Sequence, residues 1–163
     1  MPEEIERKFL VTGEGWRSLG TPTLYRQGYL PTTAASCTVR VRVVGDQGYL
    51  TIKGPSQGIS RSEFEYPIPL AEAEAMLDTL CQKPLIEKTR TRVPLGEVVW
   101  EVDEFLGENA GLVVAEVELR EEGESPVLPA WVGEEVSGDP RYYNARLVEK
   151  PFREWEGEAL SKE

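Results

Sequence analysis

The chain reads as an α+β, β-rich fold whose eight antiparallel strands can close into a barrel, and three features of the sequence lead there. Apolar and polar residues alternate with period two over about 4–11, 23–30, 37–44, 48–53, 61–68, 85–95, 97–105 and 111–120. Gly, Pro, Asn or Asp breaks the intervals between these stretches. Helical spacing is confined to two short segments. Closing the sheet on itself removes the edges that an open sheet would expose.

In the first strand, Glu4, Glu6 and Lys8 point to one side and Ile5, Arg7 and Phe9 to the other. The second ends in Gln27-Gly28-Tyr29-Leu30. In the third, Val39, Val41 and Val43 share one face and Arg40 and Arg42 the other. The fourth sets Tyr49, Thr51 and Lys53 on one face; the fifth sets Arg61, Glu63 and Glu65 against Phe64 and Tyr66. A helix is expected over 70–80, where Leu70, Ala73, Leu77 and Leu80 recur at helical spacing between Pro69 and Pro84. The sixth strand aligns Lys88, Arg90 and Arg92, the seventh Glu101 and Asp103, and the eighth Glu116 and Glu118 between apolar neighbours. Residues 121–138 read as a loop with a short amphipathic turn around Trp131. A second helix is expected to start at Asp139-Pro140, a good cap and first-position pair, and to stop before Pro151. The last ten or so residues read as frayed.

A length of 163 residues suits one domain, 1–163, large enough to bury a core. A composition 40% apolar and 29% charged is that of a soluble globular protein. No apolar run approaches a membrane span and the N-terminus is charged, so the expected location is cytoplasmic, with no membrane partner. A net charge of −11 argues against nucleic acid as a partner, since its backbone needs a basic footprint. The absence of histidine excludes Ser-His and Cys-His nucleophile systems and the H-E-x-x-H zinc site, leaving carboxylates, Lys, Arg, Tyr or a bound metal. Cys37 and Cys81 have apolar neighbours and no C-x-x-C spacing, and read as structural thiols. Gly54-Pro55-Ser56-Gln57-Gly58 is a turn-rich loop without the P-loop pattern. The four tryptophans, Trp16, Trp100, Trp131 and Trp155, read as packing residues.

An antiparallel sheet with one wet face also alternates apolar and charged residues, so alternation alone leaves a plain solvated sheet open. The sorting of the charges is more informative. The third and sixth strands carry only cations on their charged faces, the seventh and eighth only carboxylates, and the first both. Like charges directly opposite one another are unfavourable, so a solvated sheet gains from mixing signs. A cationic wall facing an anionic wall suits a polyanion held together with a divalent metal.

Glu4-Ile5-Glu6-Arg7-Lys8 matches an E-x-E-x-K motif, followed in order by Arg40-x-Arg42, Lys53, Arg61-x-Glu63-x-Glu65, Lys88-x-Arg90, Asp103 and Glu116-x-Glu118. In this ordered set the sequence resembles the CYTH superfamily, the triphosphate tunnel metalloenzymes, over nearly its full length. The resemblance implies an eight-stranded barrel around a charged tunnel, with helices outside. It implies that Glu4, Glu6, Asp103, Glu116 and Glu118 hold Mg²⁺ or Mn²⁺. Lys8, Arg40, Arg42, Lys53, Arg61, Lys88 and Arg90 would grip the triphosphate, with Lys8, Tyr29 and Glu63 as the catalytic set. Tyr142-Tyr143-Asn144 resembles the segment before a helix that closes one tunnel mouth. The short chain is similar to bacterial phosphohydrolase members, which implies hydrolysis of a small triphosphate, foremost tripolyphosphate to pyrophosphate and phosphate, by a monomer or homodimer. A class IV adenylyl cyclase acting on ATP and a non-catalytic polyphosphate- or nucleotide-binding module are the alternatives.

Overall fold

The computed structural model describes residues 3–32 and 37–155. Among the described residues there are nine strands: β1 (Glu3–Val11), β2 (Pro22–Leu30), β3 (Thr38–Val44), β4 (Gln47–Lys53), β5 (Ser60–Ile68), β6 (Ile86–Leu95), β7 (Val98–Phe105), β8 (Val113–Glu118) and β9 (Val132–Glu135). Two α-helices, α1 (Leu70–Thr79) and α2 (Asn144–Glu149), lie among them. The sheet runs β5-β4-β3-β2-β6-β7-β8-β1, and a β5–β1 pairing closes it into an eight-stranded antiparallel barrel. The expected frayed tail, 156–163, lies outside the described residues.

β9 lies within 121–138, a segment whose sequence reads as loop. β1 pairs β8 along one edge; along the other it pairs β5 only at Glu3–Ile5. β9 covers the remainder, with Phe9 opposite Glu135 and Val11 opposite Val132. Just beyond it, the Val136 N–H donates to the Lys8 carbonyl (2.8 Å) and the Lys8 N–H donates to Ser137 Oγ (3.0 Å). Backbone groups of β1 that would otherwise lack partners are thereby satisfied. Arg7, on the outer face of β1, forks onto both oxygens of Glu135 at 2.9 and 2.7 Å.

With charge turned inward, the apolar faces look outward and need cover. α1 lies over β3 and β4, joining Ala73 and Leu77 to Val41 and Val43. Trp16 and Trp131, from the connections after β1 and before β9, join Phe9, Trp100 and Val117 outside β1, β7 and β8. Trp100 stacks edge-on to Trp131, ring centroids 5.9 Å apart. A third cluster, with Ile86, Phe105, Val114, Leu147, Val148 and Trp155, seats α2 across one barrel end. All four tryptophans are buried packing residues. Of the two thiols, Cys81 lies buried with α1, whereas Cys37 lines the cavity described below.

The second helix differs from its expected extent. Asp139 does cap a turn, accepting from the Arg141 N–H, but that turn is a 3-10 segment ending at Tyr142. Tyr143 is extended (φ −70°, ψ 132°), and α2 begins after it. The break leaves the Tyr142 carbonyl free to accept from Lys8 Nζ at 3.2 Å.

α1 approaches β4 closely because Gly48 has no side chain: a Cβ there would lie 2.7 Å from Ala73 Cβ and 3.1 Å from the Ile68 carbonyl. Gly48→Ala is expected to destabilise the fold by about 1–3 kcal/mol, the usual range for overpacking. Denaturant unfolding measures it, and an unchanged midpoint would contradict this packing.

Candidate active site

Since strand side chains alternate, an apolar outer face commits the charged residues of the same strand to the barrel interior. There they line a cavity of about 520 Å³. β1 supplies Glu4, Glu6 and Lys8, β2 Tyr29, β3 Arg40 and Arg42, and β4 Lys53. β5 supplies Arg61 and Glu63, β6 Lys88 and Arg90, and β8 Glu116 and Glu118. Asp103 alone among the sequence-predicted site residues is not part of the lining. Arg92, on the same face of β6, is exposed beside Glu101 and also lies outside it.

The barrel order explains the charge sorting. β2 lies between the two cationic strands β3 and β6 and sets Tyr25, Gln27 and Tyr29, rather than acids or bases of either wall, on the same face. β7, β8 and β1 follow β6 and carry the carboxylates. The walls meet where β6 pairs β7, with Arg90 opposite Asp103.

At that seam Asp103 is fully buried. Arg90 donates to both its oxygens (2.7 and 2.8 Å) and Lys88 Nζ donates to one at 2.8 Å. Burial opposes its charge, yet Arg90 and Lys88 hold the Asp103 carboxyl below its ordinary range. Both oxygens are thus engaged by cations. The expectation that Asp103 shares in metal binding has no support from this geometry; its contacts are those of a counter-ion that fixes two cavity cations. Burial pushes the Lys88 ammonium down to about 7 in spite of Asp103, with Arg90 and Arg42 adding repulsion.

The carboxylate wall is crowded. Burial, then Glu116 and Glu4, push the Glu6 carboxyl up to about 8, so it holds a proton at neutral pH. Glu118 is raised by burial and by Glu4, Glu63 and Glu101. Glu116, though buried, is held well below the usual range by Lys8 and Arg90, each 3.6 Å from it. Glu4 takes Lys53 Nζ on both oxygens, at 2.9 and 3.1 Å. Among the described residues no three carboxylates form a ready-made metal cage. An all-oxygen set that retains a proton nevertheless fits a hard divalent cation, which commonly takes one or two carboxylates and completes its shell with water and phosphate oxygens.

Other cations retain uncancelled charge. Arg42 donates to Gln27 Oε1 at 2.8 Å and lies over the Tyr25 ring, 5.0 Å from its centroid. Burial, with Arg40 and Arg90 nearby, lowers it to about 10, so it stays charged at neutral pH. Arg61 donates to the Gly54 carbonyl and to Thr38 Oγ1. Arg40 Nε is buried without a hydrogen-bond partner. Arg40 is paired with Glu65 at 3.5 Å; Arg42 and Arg61, with no carboxylate paired to either among the described residues, constitute a receptor for phosphate oxygens.

Gln27 and Asn144 are functional candidates that the sequence reading did not single out for a role. Gln27 Nε2 donates to Tyr29 Oη (3.0 Å), and Asn144 Oδ1 accepts from Lys88 Nζ (3.0 Å). Gln27 could have been found from its i, i+2 relation to Tyr29 on β2. Asn144 falls in the segment read as closing a tunnel mouth, but its contact with Lys88 depends on the break at Tyr143.

Comparison with known proteins agrees with this arrangement. The family model described as CYTH domain matches residues 2–143. A protein of Acetivibrio thermocellus named inorganic triphosphatase is 53% identical over 153 residues, spanning 94% of this chain and 97% of its own. A second so named, from Nitrosomonas europaea, is 38% identical over 149 residues, spanning 89% and 96%. The crystal structure of the inorganic triphosphatase NE1496 superposes with a TM-score of 0.61 at 35% identity, covering 88% of this chain and 96% of that one. A putative adenylate cyclase (bh2851) from Bacillus halodurans has the same TM-score at 20% identity, covering 75% and 84%, a likeness of fold.

Two outcomes are expected. Asp103→Ala should destabilise the metal-free protein by about 3–5 kcal/mol, because it removes the buried counter-ion that Lys88 and Arg90 share, leaving Arg90 only its longer contacts with Glu101 and Glu116; denaturant unfolding in EDTA reads this directly. Mg²⁺ binding should release a proton below pH 8, since the cation must displace the proton on Glu6, and apparent affinity should rise with pH until about 8. Calorimetry in buffers of differing ionisation heat checks it: similar proton release at pH 7 and pH 9 would remove Glu6 from the metal-binding set.

Proposed function

The chain belongs to the CYTH domain family, and from that membership we propose that it hydrolyses inorganic tripolyphosphate to pyrophosphate and phosphate, dependent on a divalent cation, Mg²⁺ or Mn²⁺. The observation that carries the reading is one cavity whose cationic half keeps uncancelled guanidiniums while its carboxylate half holds a spare proton. The similarity to two proteins named inorganic triphosphatase supports the choice of substrate.

In this reading Arg40, Arg42, Lys53, Arg61, Lys88 and Arg90 receive the phosphate oxygens, the planar guanidiniums through paired donors. Glu4, Glu6, Glu116 and Glu118 would hold the cation, which when bound supplies charge neutralisation and a more acidic water. Asp103 keeps Lys88 and Arg90 in place. Lys8, between Glu116 and the Tyr142 carbonyl, sits in the carboxylate wall beside the α2 end, and with Tyr29 and Glu63 is assigned to the reacting end. α2, with Tyr143 and Asn144 in the lining, closes one end and favours a short, linear substrate. No helix of the described residues is long and apolar enough to cross a membrane. The reading further takes residues 1–163 as a single domain, cytoplasmic and monomeric or homodimeric, with a small triphosphate and not nucleic acid as its partner.

A phosphate-release panel over tripolyphosphate, ATP, thiamine triphosphate and pyrophosphate, with Mg²⁺ and with Mn²⁺, tests the proposal. Tripolyphosphate should be cleaved fastest; cyclic nucleotide from ATP would favour a cyclase, and tight binding without phosphate release a binding module. Glu116→Gln should nearly abolish turnover, and Lys8→Ala should weaken triphosphate binding by about 2–5 kcal/mol. Arg7→Ala, which removes an ion pair on the outer face, should leave turnover nearly unchanged. Equal losses at Arg7 and Lys8 would contradict the assignment of β1 faces to tunnel and exterior.

A further inference from the structure

Gln27 is fully buried on β2, between the two cationic strands, and both ends of its amide are engaged. Arg42 Nε donates to its Oε1 at 2.8 Å. Its Nε2 donates to Tyr29 Oη at 3.0 Å and reaches Asn144 Oδ1 at 3.4 Å. A guanidinium has donors only, so the amide oxygen must face Arg42 and the amide nitrogen must face Tyr29. With the Gln27 nitrogen on that side, Asn144 presents its Oδ1 to it, and the same oxygen accepts from Lys88 Nζ at 3.0 Å. The Tyr29 oxygen therefore accepts from Gln27, and its own hydrogen is directed elsewhere. Tyr29 lines the cavity.

We infer that Gln27 is a positioning residue with two effects, turning the Tyr29 hydroxyl into a hydrogen-bond donor toward the cavity and holding Arg42 there without cancelling its charge. The inference rests on the reading of the cavity as a triphosphate site. Neutrality is what distinguishes glutamine here. A glutamate of nearly the same shape would hold Arg42 as firmly, but it would neutralise the guanidinium. Being an acceptor only, it would also draw the Tyr29 proton to itself. Both changes remove attraction for an anion while leaving the packing almost untouched.

The test is a double-mutant cycle on Gln27→Glu and Tyr29→Phe. Tripolyphosphate binding is measured by calorimetry in EDTA, where turnover is withheld, and kcat and KM are measured with Mg²⁺. Gln27→Glu should weaken binding roughly tenfold to a hundredfold, the span expected for losing a hydrogen bond to a charged group. Tyr29→Phe should weaken binding when residue 27 is glutamine and have little further effect when it is glutamate, because the hydroxyl is then already turned away. Neighbours in contact can also couple through packing, so the near-isosteric Gln27→Glu is the discriminating variant: a role in packing alone would leave its binding nearly unchanged. Should Gln27→Glu fail to fold, Gln27→Met keeps the bulk while removing both hydrogen bonds; binding should weaken, and Tyr29→Phe should cost less beside methionine than beside glutamine, because the hydroxyl is then no longer oriented. Additive effects, or unaltered binding in the Gln27 variants, would overturn the inference. Absence of phosphate release by the unmodified protein, with the binding coupling intact, would overturn the triphosphatase reading and leave the role of Gln27 standing.

Discussion

The Lys88–Asp103–Arg90 group is the interaction on which the barrel interior depends. Its three charged side chains are almost wholly withdrawn from water. Leaving any one of them unpaired would cost more than most single packing contacts return. Asp103 meets this constraint by filling the space between β6 and β7 with a shared counter-ion, at the seam where the cationic and anionic walls meet. With that seam closed, Arg90 can also approach Glu101 and Glu116, and Lys88 can reach Asn144 on α2. The triad thus links barrel, carboxylate wall and end-closing helix.

The rest of the architecture follows from placing charge inside. A barrel filled with charged residues has its apolar faces outside, where they must be shielded from water. α1, the segment carrying Trp16, and the stretch from Trp131 through β9 each cover one region of that exterior, while α2 packs across one end of the interior against Ile86, Phe105 and Val114. The close approach at Gly48 and the tilted and edge-on ring contacts of Trp100 with Phe9 and Trp131 belong to this outer packing. Stability resides largely in the outer layer, so the inner layer is free to hold like charges close together. Glu6, Glu118 and Arg42, with their displaced proton affinities, record the tension of that arrangement. A ligand carrying both a cation and anionic oxygens would relieve it on both walls at once.

Much of this was legible beforehand. Val39-Arg40-Val41-Arg42-Val43 could form little other than a strand with two guanidiniums on one face, and the structure places both in the cavity. The alternation of Glu4, Glu6 and Lys8 with Ile5, Arg7 and Phe9 likewise anticipated inner and outer faces of β1. The β9 segment was not legible. Four residues, Val132-Gly133-Glu134-Glu135, carry no strand pattern of their own, and they become a strand because β1 has an unpaired stretch of edge where β5 turns away. Asp103 looked like another carboxylate of the anionic wall, since spacing reports a face and not which neighbour claims the oxygens.

By itself the sequence determined the eight barrel strands, their faces and the sorting of charge, because period-two alternation is a local property that each of these strands displays independently. It also determined the absence of imidazole chemistry, since no histidine is present. Only the tertiary structure decided which charges cancel and which remain available. Arg90 is neutralised by Asp103 while Arg42 is held by a neutral amide and an aromatic ring, although both read as an arginine between apolar residues or threonines on a strand. Burial and pairing depend on residues brought together from β2, β3, β6, β7 and α2, and a distance of a few ångströms across a barrel leaves no mark on the spacing within any one strand.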